Sequence, residues 1–202
     1  MKPADPIYTA LYNYTKALSV ALGYRDQLTR LHSERVRGLS VAIGEHYGLS
    51  EEDMGILRIG ASFHDIGKIG IPDHILLKPS PFEPDEWEIM KGHAGIGEEI
   101  IAATDLEGSQ QAALIIRHHH EYFNGNGYPD GLAGEAIPLY SRIISVADSY
   151  DAMAETRAYH HSRTHSEVMA ILYEETGKKY DPQIMGIFCK IIESSQYKAK
   201  KD

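Results

Sequence analysis

The chain has 202 residues, with 20 Lys and Arg against 29 Asp and Glu, for a net charge of −9. That balance excludes a bulk binder of nucleic acid polymer or anionic membrane, both of which need a positive field, so an anionic substrate would require a local cation, protein or metal, at its site. The lone Cys189 excludes an internal disulfide, no run reaches the ~18–20 apolar residues of a membrane span, and the first residues lack the apolar core of a secretory signal, so a cytoplasmic location is expected.

The pattern predicts helices throughout. Asp5-Pro6 reads as a cap with proline at the first helical position, and Ile7, Leu11, Tyr14, Leu18 and Leu22 share one face of a helix over 6–24. Asp26 restarts a helix carrying Leu28, Leu31, Val36, Leu39 and Ile43, stopped by Gly48. Ser50 with Asp53 opens the next, which runs through Leu57, Ala61 and Phe63 to near Gly67. Residues 69–82, with Pro72, Pro79 and Pro81, read as loop.

Further helices are predicted over 84–103 (interrupted around Gly92), 108–120, 139–155, 164–176 and 182–195, the last behind a second cap-and-proline pair, Asp181-Pro182. Between them, 121–138 is rich in glycine and proline, which makes it an ordered or functional loop. No stretch alternates with period two, so the expected class is all-α. The expected organisation is an N-terminal connector helix over 1–25, one domain over 26–195 and a basic tail over 196–202. The first helix either leads to a sensor or receiver domain outside this chain or packs on the core.

Eleven histidines in a chain with one cysteine point to metal ligation by nitrogen and oxygen. His64-Asp65 lies among Phe63, Ile66 and Ile69, where polar groups are costly unless paired or coordinated, and the two oxygens of Asp65 could bridge two metals. His32, His93, His119, His120 and Asp148 sit on separate predicted segments, and Asp148 falls in the apolar run Ile143, Ile144, Val146, Ala147. Each histidine alone is better explained by a structural role, whereas an unpaired carboxylate at Asp148 is disfavoured in such a run. As a set, five histidines and two aspartates suit two divalent ions, and the lack of thiolates favours Fe or Mn.

The order of His32, His64-Asp65-Ile66-Gly67-Lys68, His93, His119-His120-Glu121, Asn124-Gly125-Asn126-Gly127-Tyr128-Pro129 and Asp148-Ser149-Tyr150-Asp151-Ala152 resembles the HD-GYP family, from about residue 28 to about 190. The resemblance implies an HD-domain helical bundle with an ordered Gly-Tyr-Pro loop and a cyclic di-GMP phosphodiesterase whose end product is pGpG or GMP. It carries His32, His64, Asp65, His93, His119, His120 and Asp148 over as metal ligands, with a hydroxide between two metals as nucleophile. Asp65, Lys68 and Asp151 would be catalytic, with Asp151 orienting Lys68 or the nucleophile, and Lys68, Tyr128 and Arg157 would hold substrate.

Three departures qualify the match. Leu28 stands where some members have a metal-binding glutamate, so two metals are expected rather than three. Asn124 replaces the usual loop aspartate, and His160 stands where a basic residue is common after Arg157. His118 is expected in an outer shell or in solvent, and His46, His74 and His165 in structural roles. Expected partners are cyclic di-GMP, a second copy of the chain and a signalling protein at the loop. The competing readings are a metal-bound, low-turnover signalling module and an HD phosphohydrolase for another cyclic dinucleotide.

Overall fold

The computed structural model describes residues 6–155 and 163–199, leaving aside the side chains of 6–8, 27 and 28. The described residues form helices α1 (Pro6–Arg25), α2 (Gln27–Tyr47), α3 (Glu51–Phe63), α4 (Asp73–Leu76), α5 (Pro84–Lys91), α6 (His93–Ala102), α7 (Ser109–Arg117), α8 (Leu139–Ala154), α9 (His165–Glu174) and α10 (Pro182–Ile192). Two short 3-10 turns, Ile66–Gly70 and Gly134–Ala136, complete the list of elements, and the described residues contain no strand beyond isolated bridges. The all-α expectation holds.

The predicted caps form where the side-chain oxygens can reach free amides. Ser50 accepts from Asp53 N, and Asp181 accepts from Gln183 N and Ile184 N. Asp5 lies outside the described residues. The helices expected over 108–120 and 182–195 end early, at Arg117 and Ile192, which leaves His118, His119 and His120 past the helix. Two further differences are larger. α3 ends at Phe63 rather than near Gly67, because the chain turns at His64 and Asp65 into the 3-10 segment. The stretch read as loop contains α4, one turn too short to show periodicity, nucleated behind Pro72 and anchored by buried Ile75.

Two faces also differ. Tyr14 and Leu31, placed on apolar stripes by spacing, are 65% and 37% exposed. The buried stripe of α2 instead runs through His32, Val36, Leu39 and Ile43, so a histidine occupies an apolar phase.

One core joins α2, α3 and α8 to α9 and α10, through Leu39, Leu57, Ile144, Leu172 and Phe188. A second joins α1 to α3, α6 and α7, through Leu11, Leu22, Phe63, Ile101 and Ile116. Burying Leu11 and Leu22 contributes about 3–6 kcal/mol, a large share of a typical domain's net stability of about 5–15 kcal/mol. Helix α1 is therefore part of the packed domain. Among the described residues no helix is long and apolar enough to cross a membrane.

The 3-10 turn and α6 approach backbone to backbone. A Cβ on Gly67 would lie 1.9 Å from the carbonyl oxygen of His93 and 2.5 Å from Gly97 N, so only glycine fits. Gly67→Ala is expected to lower stability by about 3 kcal/mol, read as a reduced urea midpoint at unchanged slope.

Candidate metal centre

Five helices deliver seven side chains able to ligate a metal to one place. His32 comes from α2, His64 and Asp65 from the end of α3, His93 from the start of α6, His119 and His120 from just past α7, and Asp148 from α8. Two triads result, His93 with His119 and His120, and His32 with His64 and Asp148, the donor atoms within each lying within 4.8 Å of one another. Asp65 stands between them. Its Oδ1 is 3.6 Å from His93 Nε2, and its Oδ2 is 3.5 Å from His64 Nε2 and 3.9 Å from His32 Nε2.

The histidine tautomers are set by the backbone. His64, His93 and His119 each donate Nδ1–H to the carbonyl three residues earlier, those of Ala61, Met90 and Ile116, at 2.9, 2.7 and 2.5 Å. Their Nε2 atoms are therefore lone-pair acceptors. All three are buried with no hydrogen-bond partner among the described residues. Each orphaned polar atom costs about 1–3 kcal/mol, a sum comparable to the whole stability of a domain. A divalent cation removes that cost, so the donor set fits the metals that the sequence implies.

Electrostatics agree. Burial, reinforced by His64 and His93, pushes His119 down to about 3, and burial likewise lowers His93 and His120, so these three rings are neutral at pH 7. Asp65 and Asp148 are held well below the usual carboxylate range. Burial opposes this, but Lys68 and the histidines outweigh it at Asp65, and His32 does so at Asp148. His32 is the exception among the rings. Burial would lower it, but its hydrogen bonds to Asp148 and Asp151 raise it to about 9. Its Nε2 meets Asp148 Oδ1 at 2.9 Å, so a cation bound by both would displace a proton.

Asp151 takes a different place from the one expected. Its Oδ2 accepts from His32 Nδ1 at 2.7 Å and from Arg35 Nη2 at 3.0 Å, and its Oδ1 accepts from Arg35 Nε at 2.7 Å. It orients His32 rather than Lys68. The Lys68 ammonium instead donates to Asp65 Oδ2 at 2.7 Å, its side chain 17% exposed at the rim of the centre. Arg35 was missed by the sequence reading. Its one signal was a position three residues after His32, on the same side of α2.

Tyr128 packs its ring on His120, with centroids 4.9 Å apart, and meets the edge of Trp87 at 6.0 Å. Its loop is bonded rather than loose. Buried Glu121 accepts from Asp130 N and Leu132 N, Tyr128 N donates to the carbonyl of His120, and Asp130 pairs with Arg117 and His118. His118 thus serves the loop. The third cluster of potential ligands, His118, Glu121 and Asp130, is occupied by these protein partners. Asn124 Oδ1 accepts from Asn126 N at 3.0 Å, closing the tight turn without a carboxylate. Arg157, His160 and the side chain of Leu28 lie outside the described residues.

Because Asp151 fixes the ring of His32, Asp151→Ala is expected to weaken metal affinity about 10–100-fold. Titration of the metal-free protein with Mn(II) reads this directly, and unchanged affinity would show that His32 needs no such support.

The HD domain family profile matches residues 16–184. The cyclic di-GMP phosphodiesterase response regulator RpfG of Xanthomonas campestris is 43% identical over 166 residues, covering 82% of this chain and 44% of that protein. A cyclic di-GMP phosphodiesterase of Thermotoga maritima is 39% identical over 207 residues, covering 100% and 56%. The 3'3'-cGAMP-specific phosphodiesterase 2 of Vibrio cholerae is 33% identical over 175 residues, covering 87% and 33%. The chain thus spans about half the length, or less, of these curated relatives. Among solved structures, an HD-GYP-type protein of Bdellovibrio bacteriovorus shares the fold at a TM-score of 0.67 and 20% identity, covering 92% of this chain and 62% of that one. On the profile match and the clustered His-Asp centre together, the chain belongs to the HD domain family, and its relatives are consistent with the HD-GYP branch.

Proposed function

We propose that the chain is a phosphodiesterase that uses two divalent ions, Fe or Mn, to open cyclic di-GMP to linear pGpG, with GMP as the alternative end product. The observation that carries this reading is the pair of ligand triads joined by Asp65, with three orphaned Nε2 atoms facing inward. The names of the relatives from Xanthomonas and Thermotoga support the substrate.

Bound at this centre, the ions would supply a nucleophilic water at neutral pH and offset charge on the phosphoryl oxygens. The protein's own groups do the rest. Asp65 spans both triads and keeps them in register. Lys68, anchored on Asp65, brings a positive charge to the rim, where it balances a phosphate oxygen or the departing 3′ oxygen. This local cation answers the field of a chain whose net charge is −9. Asp151 and Arg35 keep His32 aligned. Tyr128 packs against His120 at the edge of the centre, and Arg157 is assigned to the substrate from its sequence position, as a guanidinium suited to a phosphate.

A second reading is a phosphodiesterase for another cyclic dinucleotide, favoured by the relative named 3'3'-cGAMP-specific. Anaerobic turnover with Fe(II) or Mn(II), offered each dinucleotide in parallel and resolved by chromatography, separates the two by relative kcat/KM. Asp65→Ala is expected to abolish metal binding and turnover together. Lys68→Ala is expected to keep its metal and lose about 10²–10³-fold in kcat, the cost of one charge-stabilising donor. Full metal loading with no product from either dinucleotide would favour the signalling module.

A further inference from the structure

One side chain ties α1 to the turn that carries Lys68. Arg25, the last residue of α1, reaches into the segment over 68–73. Its Nη1 donates to the carbonyls of Lys68 at 3.2 Å and Ile69 at 2.5 Å, its Nη2 to the carbonyl of Ile71, and its Nε to Asp73 Oδ1 at 2.7 Å. The side chain is only 26% exposed. The Lys68 carbonyl also accepts from Ile71 N at 3.1 Å, and a guanidinium is the one side chain whose rigid fork can reach several such acceptors at once.

The contact is more than a helix-end charge. A basic residue in the last turn of α1 would suit that helix's own dipole from almost any rotamer. Here the donors are aimed across to a different segment, onto the backbone of Lys68 itself. From that backbone the Lys68 side chain extends to Asp65 Oδ2 at 2.7 Å. Lys68 is thus held at both ends, its carbonyl by Arg25 and its ammonium by Asp65. Helix α1 is held in turn by Leu11 and Leu22 in the core that contains Phe63 and Ile66, on either side of the His-Asp pair.

We propose that Arg25 is a positioning residue for Lys68, and that through it the placement of α1 sets the rate at the metal centre. The inference rests on the role given to Lys68 above. A shift or rotation of α1 moves the guanidinium, removes its bonds to the carbonyls of 68, 69 and 71, leaves the Lys68 carbonyl held by Ile71 N alone, and lets the ammonium leave the rim. Metal ligation is untouched, because Arg25 contacts none of the seven ligands.

The test is a double-mutant cycle on Mn(II)-loaded protein, with kcat and KM for cyclic di-GMP, metal content, and hydrogen exchange of the amides over 66–71. Arg25→Ala is expected to lower kcat between about ten- and a hundredfold, with KM and metal content unchanged and faster exchange over 66–71. Arg25→Lys is expected to fall between it and the parent, since an ammonium cannot span three carbonyls. Should Arg25→Ala fail to fold, Arg25→Lys carries the same cycle. In combination with Lys68→Ala, either Arg25 substitution is expected to add no further loss. Losses that multiply in the double variant, or metal content that falls with the rate, would overturn the inference while leaving Lys68 its role. A Lys68→Ala protein as fast as the parent would remove that role and the inference together.

Discussion

The structure depends on burying imidazole rings with one nitrogen satisfied and the other left bare. A helix ends with carbonyls that have no amide to accept from. In three places such a carbonyl takes the Nδ1–H of a histidine three residues on: Ala61 near the end of α3, Met90 near the end of α5, and Ile116 near the end of α7. The same bond satisfies a helix terminus, fixes a tautomer and aims a lone pair at the centre. The surplus is the cost of three bare nitrogens, which metal binding removes.

His32 and Asp148 face a different problem, because both lie within helices whose carbonyls are already used. No backbone group is free to orient the His32 ring. Asp151, one turn beyond Asp148 on α8, takes that part, and Arg35, one turn beyond His32 on α2, neutralises it. The centre therefore has two kinds of support, backbone carbonyls at helix ends and a carboxylate–guanidinium pair at mid-helix. The ring held by the second also meets Asp148 through Nε2, and so it is the part where protonation and cation binding compete.

Around this centre, two irregular segments are made rigid by unlike means. The loop after His120 is closed on itself by Glu121, which satisfies two loop amides, and by the pairing of Asp130 with Arg117 and His118. The turn after Asp65 is held from outside, by the close approach of Gly67 to α6 and by Arg25 from α1. The first segment is braced mainly by residues near it in the chain. The second takes its geometry from elements far from it in the chain, and it is the one that carries Lys68.

The sequence by itself determined the helical class, the starts of the longer helices and all seven residues that converge on the centre. These are encoded in local signals: caps such as Ser50 and Asp181, glycine and proline at element ends, and a His-Asp pair between apolar residues. Local signals do not encode phase or partnership. Spacing put Leu31 on the apolar stripe of α2, whereas packing against α8 turned His32 inward and left Leu31 half-exposed. Asp151 was legible as a chemical group but not as the partner of His32, because the two are 119 residues apart in the chain. Arg25 gave no signal that set it apart from other arginines, and Arg35 gave only its place three residues after His32. Only the tertiary structure decided their roles, because a guanidinium acquires its function from the acceptors placed within its reach, and here those acceptors come from other helices.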